Sequence, residues 1–343
     1  MDTLQLVWFA LIGLLWAGYL VLEGFDFGVG ALLPVLGAGE DAADTEKRRR
    51  VMLTTIGPHW DGNEVWLITA GGATFAAFPE WYATMFSAFY LPLLVLLVAL
   101  IVRNMGFEYR HKRDDVTWRR RWDAAIIGGS IAAPLLVGVA LTDIVRGLPI
   151  DRDLEYTGSL LTLLDPLGLL GGVTVVALSL THGAFFLALK TTGTIREDAR
   201  RLGTTLGAVT AVLAVVTLGW LGLLTGSAWS WATTVVAAVA LLAAVAANAR
   251  GREGWAFTGT AVTAAATVAT YFLALFPDVM PTTLDGGRSL TIANASSSPM
   301  TLQIMTWAAA VFTPIVLLYT GYTYYAFRRR IGTQHIPEPV AVG

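Results

Sequence analysis

Long apolar runs separated by short charged or turn-forming stretches fill this chain from end to end. A helix needs about 20 mostly apolar residues to cross a hydrocarbon core of roughly 30 Å. Nine runs meet that length, at 4–36, 51–78, 82–102, 123–145, 163–189, 202–224, 228–247, 255–276 and 300–327. None alternates with the period of two that a half-buried strand requires. The pattern therefore predicts an all-α polytopic membrane protein with about nine transmembrane helices in one integral-membrane domain, 1–343. Within it, residues 1–145 hold helices one to four, 163–276 hold helices five to eight, and 300–328 form the ninth. Residues 329–343 form a tail, read from Gly332 onward as a disordered end. The helices are expected to group as two four-helix bundles plus one extra helix, although no sequence repeat marks a duplication. The first run has no basic flank or small-residue cleavage site, so it reads as a first helix and not a signal peptide.

Composition agrees. Only 14% of the 343 residues are charged and 55% are hydrophobic, against about 25% charged in soluble proteins. The absence of cysteine excludes disulfides, thiolate metal sites, iron–sulfur clusters and Cys-x-x-Cys-His haem attachment. A net charge of −2, with no single basic patch, gives no sign of nucleic acid.

The loops orient the chain. Of 23 Lys and Arg, 20 fall in alternate connections, among them Lys47–Arg50, Arg119–Arg121 and Arg328–Arg330. The other side holds only Arg146, Arg152 and Arg288. Basic loops stay in the cytoplasm, so the N-terminus is expected outside and the C-terminus inside. The outer connection from Asp278 to Ser298 reads as an ordered loop.

Polar groups inside the apolar runs are the candidate chemistry, because an acid near the centre of a membrane helix costs about 2.5–3.5 kcal/mol on insertion scales. Glu23 and Asp26 lie three apart and share a helix face. The segment Pro58-His59-Trp60-Asp61-Gly62-Asn63-Glu64-Val65-Trp66 places a histidine, two acids and an amide together, with Pro58 expected to kink the helix. Counting inward at the helical rise, Asp26 lies roughly 15 Å from Leu36 and Asp61 roughly 16 Å from Arg50. The two acids should therefore sit at similar depth on antiparallel neighbours. Such a set suits a proton-conducting chain of Asp61, Asp26, Glu23, Glu64 and His59. The same groups could instead pair between helices and never change protonation. His182 lacks any metal-ligand spacing and reads as a histidine satisfied by hydrogen bonds, and no metal site is expected. Helices six to eight carry almost no ionisable residue and read as scaffold. On residues alone, a proton-coupled transporter or a purely structural assembly subunit is also open.

Several stretches resemble subunit II of cytochrome bd-type quinol oxidases. They are Gly24-Phe25-Asp26-Phe27-Gly28-Val29-Gly30, the run from Pro58 to Gly72, Gly106-Phe107-Glu108-Tyr109-Arg110, Asn294-Ala295-Ser296-Ser297-Ser298 and Met305-Thr306-Trp307. They extend from the first helix to the last. The resemblance implies a bacterial cell membrane location and a partner subunit I that carries the quinol site and the haems (haem b and haem d). It implies reduction of dioxygen to water with protons from the cytoplasm, contributing to the proton-motive force without pumping. Asp61 and Asp26 match acids of a proton-entry path, and Trp66 matches a tryptophan on a proposed oxygen route. Some relatives hold a structural quinone in this subunit, or add a small single-helix subunit. The short Thr225-Gly226-Ser227 turn here replaces a long insertion found in some of them.

Overall fold

The computed structural model describes residues 2–336. Twelve α-helices run in the order α1 (Thr3–Ala31), α2 (Leu33–Leu36), α3 (Ala42–Ile56), α4 (Trp60–Ala77), α5 (Pro79–Ala88), α6 (Tyr90–Tyr109), α7 (Val116–Arg146), α8 (Pro166–Lys190), α9 (Gly193–Thr225), α10 (Ala228–Ala249), α11 (Glu253–Leu275) and α12 (Pro299–Ala326). Eight of them, α1 and α6 to α12 inclusive of all between, are long and apolar enough among the described residues to cross a membrane. The chain is a multi-pass membrane protein in architecture and composition.

Capping side chains set many helix starts. Asp115 accepts from the Thr117 amide at 2.6 Å, Asp165 from the Leu167 amide at 2.9 Å, and Ser298 from the Thr301 amide at 3.2 Å. Pro166 and Pro299 each follow their cap, where a missing N–H costs nothing.

Three expected spans are divided: the run 4–36 breaks at Leu32 between α1 and α2, and two later runs break as well. The run 51–78 breaks completely at Gly57–His59, because Pro58 lacks the N–H that a continuous helix needs; α3 ends at Ile56 and α4 restarts at Trp60. The predicted kink is thus a turn. The run 82–102 divides at Phe89, so that α5 and α6 are separate helices. At the other extreme, α9 is a single helix of 33 residues whose charged first turns extend well beyond the apolar run at 202–224.

Helix α1 is the central post, packed on α4, α7, α8 and α11. Its crossing with α8 is backbone on backbone: a Cβ on Gly183 would stand 2.6 Å from the Gly28 Cα. Glycine on both sides permits this approach. Helices α8, α9, α10 and α11 close a ring in which each packs on the next and α11 returns to α8. Hydroxyl pairs tie it together, with Thr174 to Thr217 at 2.6 Å, Thr181 to Thr210 at 2.9 Å and Thr233 to Thr270 at 2.9 Å. Helices α1, α4, α6 and α7 form the second group, and α12 lies outside both, against α4 and α1. Leu302 is the buried residue of α12; most of its length is exposed.

The ends are ordered. Strands β1 (Asp278–Met280) and β2 (Leu290–Thr291) pair antiparallel, and Asn294 closes the loop by accepting from the Thr291 amide at 2.7 Å. At the opposite, basic end the chain after α12 is ordered too, contrary to expectation as far as it is described. The Ile331 amide donates to the Lys190 carbonyl at 2.9 Å, and the Thr192 amide to the Ile331 carbonyl at 3.0 Å. A 3-10 turn at Thr333–His335 follows. The rest of the expected disordered tail, 337–343, lies outside the described residues.

Candidate functional site

The divided second span sets up the site. Starting α4 afresh at Trp60 lets its first turns lie against α1, and helical geometry then sorts its polar residues by face. Residues 61 and 63 are two positions, about 200°, apart on a helix of 3.6 residues per turn. Asn63 turns inward and is buried, whereas Asp61 points out and is exposed. The expectation that Asp61 lies buried beside Asp26 is therefore corrected: Asn63 takes that place. Its Nδ2 donates to Asp26 Oδ2 at 2.7 Å and to the Leu22 carbonyl at 3.1 Å. Asp61 is two residues from the partner of Asp26.

Glu23 and Asp26 are both fully buried on α1. Glu23 is paired with Arg103 of α6, whose Nη1 donates to Glu23 Oε1 at 2.6 Å, with both side chains at 0% exposure. Arg103 Nε donates to Ser130 Oγ of α7 at 3.1 Å, and the guanidinium lies 4.6 Å over the Phe27 ring and 4.9 Å over Phe107. Glu64, half-buried, accepts from the Asn104 amide. The structure thus gathers Glu23, Asp26 and Glu64 around one guanidinium. Glu23 Oε2, Asp26 Oδ1, Arg103 Nη2, Asn104 Oδ1 and the Tyr19 hydroxyl are buried within this region without a protein partner. Buried polar atoms rarely go unpaired, so this is a buried polar cluster with hydrogen-bonding capacity to spare.

His59 does not enter the cluster directly. Its ring is buried flat against Tyr324 of α12, centroids 4.3 Å apart and 10° from parallel, with Phe327 at its edge. Tyr324 in turn donates to Asn63 Oδ1 at 3.0 Å. His182 has both nitrogens engaged, Nδ1 with Thr260 Oγ1 at 2.6 Å and Nε2 with the Val21 carbonyl at 3.0 Å, and it stacks on Phe257 at 4.5 Å. Its reading as a hydrogen-bonded histidine fits these contacts. Both ring nitrogens of His182 are thus engaged, whereas His59 Nδ1 is buried without a protein partner. Among the described residues no three His, Asp or Glu side chains converge as a metal site.

Trp66 packs across α1 at Gly18, where any Cβ would fall on the indole. The next residue, Leu67, lines an apolar cavity of about 470 Å3 together with Trp16, Phe89, Leu96, Leu100 and Phe272. Leu100 is one helical turn from Arg103, and Trp16 one turn from Tyr19.

Arg103, Asn104, Tyr19 and Tyr324 were not singled out by the sequence. Arg103 directly follows the apolar run 82–102, at the edge of a basic connection. The usable signal was periodicity: Leu96, Leu100 and Arg103 occupy one helical stripe and are all buried. Arg48 and Arg110 also leave the solvated loop charge. Arg48 binds Asp198 at 2.6 Å, and Arg110 bridges Asp123 and Glu46 at 2.6 and 2.7 Å.

Comparison with known proteins accounts for the whole chain. Residues 4–327 match the family model described as cytochrome bd terminal oxidase subunit II. The chain is 39% identical to cytochrome bd ubiquinol oxidase subunit 2 of Bacillus subtilis, over 96% of this chain and 98% of that protein. It is 37% identical to cytochrome bd-I ubiquinol oxidase subunit 2 of Escherichia coli K12, over 98% and 97%. Its fold superposes on the structure of bd oxidase from Geobacillus thermodenitrificans with a TM-score of 0.75 at 19% identity, covering 95% of this chain and 97% of the other. The chain belongs to the cytochrome bd terminal oxidase subunit II family.

Proposed function

We propose that this subunit delivers protons from the cytoplasm to an oxygen-reducing haem held by subunit I, in a complex that oxidises quinol and reduces dioxygen to water. The carrying observation is Asp26: fully buried, fixed through one oxygen by Asn63, and with its other oxygen buried without a protein partner in a cluster that includes Glu23 and Glu64. A group held through one oxygen and unpaired at the other is placed to take and release a proton without moving its backbone. Glu23 is more constrained, because Arg103 occupies one of its oxygens; its role is to hold the guanidinium that sets the field at Asp26 and Glu64.

Asp61 supports the location of the partner. It lies on an exposed face of α4 with Val65, Ile68 and Thr69, flanked by the exposed length of α12. A carboxylate facing lipid is costly, so this face is the seat for subunit I, and Asp61 is the group through which protons cross between the chains. In this reading haem b and haem d belong to subunit I. The apolar cavity beside Trp66 suits passage of uncharged dioxygen toward that partner. The charge-poor α8–α11 ring serves as scaffold. Charge is moved toward the oxygen site without pumping.

The test is Asp26→Asn in the purified two-subunit complex. Quinol-driven oxygen consumption should fall at least tenfold, equivalent to about 1.4 kcal/mol on the barrier, while haem content and assembly stay at the parent level. Full turnover with intact haem would remove Asp26 from the path. Lost haem and lost assembly together would favour a purely structural role, for which the buried Glu23–Arg103 pair is the specific supporting feature.

A further inference from the structure

Tyr324, on the largely exposed α12, reaches Asn63, the residue that holds Asp26. Its phenol donates to Asn63 Oδ1 at 3.0 Å, while its ring lies against His59. An asparagine amide has two donor hydrogens and one acceptor oxygen, so its orientation decides what it offers a neighbour. Here three contacts fix that orientation. The Leu22 carbonyl can only accept, and it takes one Nδ2 hydrogen at 3.1 Å. Tyr324 supplies the donor that Oδ1 needs. The remaining Nδ2 hydrogen points at Asp26 Oδ2, 2.7 Å away. An amide cannot relay protons as a carboxylate does, which makes this a holding arrangement and not a conduit.

We propose that Tyr324 is a positioning residue for Asp26: by donating to Asn63 it holds the amide as a donor to Oδ2 and leaves Oδ1 as the oxygen without a protein partner. The proposal rests on the reading of Asp26 as a proton-carrying group. Other groups facing Asp26 act on it by charge. They are Glu23 on its own helix, Glu64 from α4 and Arg103 from α6. The nearby polar groups of α7, α8 and α11 are engaged elsewhere: Ser130 with Arg103, and His182 with Thr260 and the Val21 carbonyl. Tyr324 differs in acting through a hydrogen-bonded intermediary, and its removal should be visible at Asp26 itself.

The experiment is infrared difference spectroscopy of the assembled complex across a pH series, with Asp26→Asn identifying the bands of Asp26, protonated and ionised. Tyr324→Phe keeps the ring on His59 and deletes only the hydroxyl. The Asp26 bands should change frequency, and the pH of their interconversion should move by about one unit, the scale of a single hydrogen bond to a charged group. Asn63→Leu should produce a comparable displacement, and the double variant should add little to either, because both changes break one arrangement. Unchanged Asp26 bands in Tyr324→Phe, or full additivity with Asn63→Leu, would overturn the proposal. Failure of Tyr324→Phe to assemble would mark the hydroxyl as structural support and overturn it as well. If the bands move but Asp26→Asn turns over normally, the positioning stands and the proton-path reading falls.

Discussion

At the scale of single residues, the decisive feature is a charge pair taken wholly out of water. Arg103 and Glu23 are both at 0% exposure, and the guanidinium is further held by Ser130, Phe27 and Phe107. Breaking a buried pair by removing one partner leaves an uncompensated charge and costs about 3–5 kcal/mol. Arg103→Gln should therefore sharply reduce recovery of the complex in a detergent thermal-stability assay. Glu23→Gln combined with Arg103→Gln should recover much of that loss, since neither charge is then stranded. Equal damage in the single and double variants would show that the pair is not the source of the effect. Sequence alone marked Glu23, Asp26 and Glu64 correctly as anomalies, because acids in an apolar run stand out. It could not mark Arg103, which sits where apolar run and basic loop meet and reads equally well as either. Nor could it tell Asp61 from Asn63, since that requires the angular setting of α4, fixed only by packing against α1.

At the scale of helices, existence was legible and continuity was not. Every apolar run became helix, yet the breaks at Gly57–His59 and Phe89 depend on how neighbouring segments dock. Pro58 signalled trouble without saying whether the result would be a kink or a restart. Glycines show a similar ambiguity, and the structure resolves it. Gly28 faces the Ser179 carbonyl and the Gly183 backbone across the α1–α8 crossing, whereas Gly128 has nothing near its Cβ position. Gly28→Ala should thus prevent close helix contact and lower assembled yield severely, as backbone cannot move aside. Gly128→Ala should be neutral or stabilise by about 0.5–1 kcal/mol, the helix-propensity difference. Side-by-side thermal-stability curves test both, and equal tolerance at the two sites would refute this account of the crossing.

At the scale of the whole molecule, the two ends differ in charge, and the proposed direction of proton delivery depends on which end faces the cytoplasm. Exposed Lys112 lies at the basic end and exposed Asp285 in the strand-bearing loop of the other. The chain has no cysteine, so single substitutions report without background. A membrane-impermeant thiol reagent added to intact cells should label Asp285→Cys and spare Lys112→Cys; the reverse pattern would invert the topology. The buried pair on α1 and α6 also bears on how the protein is made. Arg103 stands 80 positions after Glu23, so α6 reaches the insertion machinery with an arginine whose acidic partner is already in the membrane. Alone, that arginine penalises insertion by about 2.5–3.5 kcal/mol at a helix centre. Biogenesis is thereby made sequential: α6 settles fully only once α1 is in place to receive it. In a glycosylation-reporter insertion assay, isolated α6 carrying Arg103→Leu should enter the membrane more readily than the parent helix. In the full chain the same change strands Glu23, so a gain for the nascent segment becomes a loss for the finished subunit.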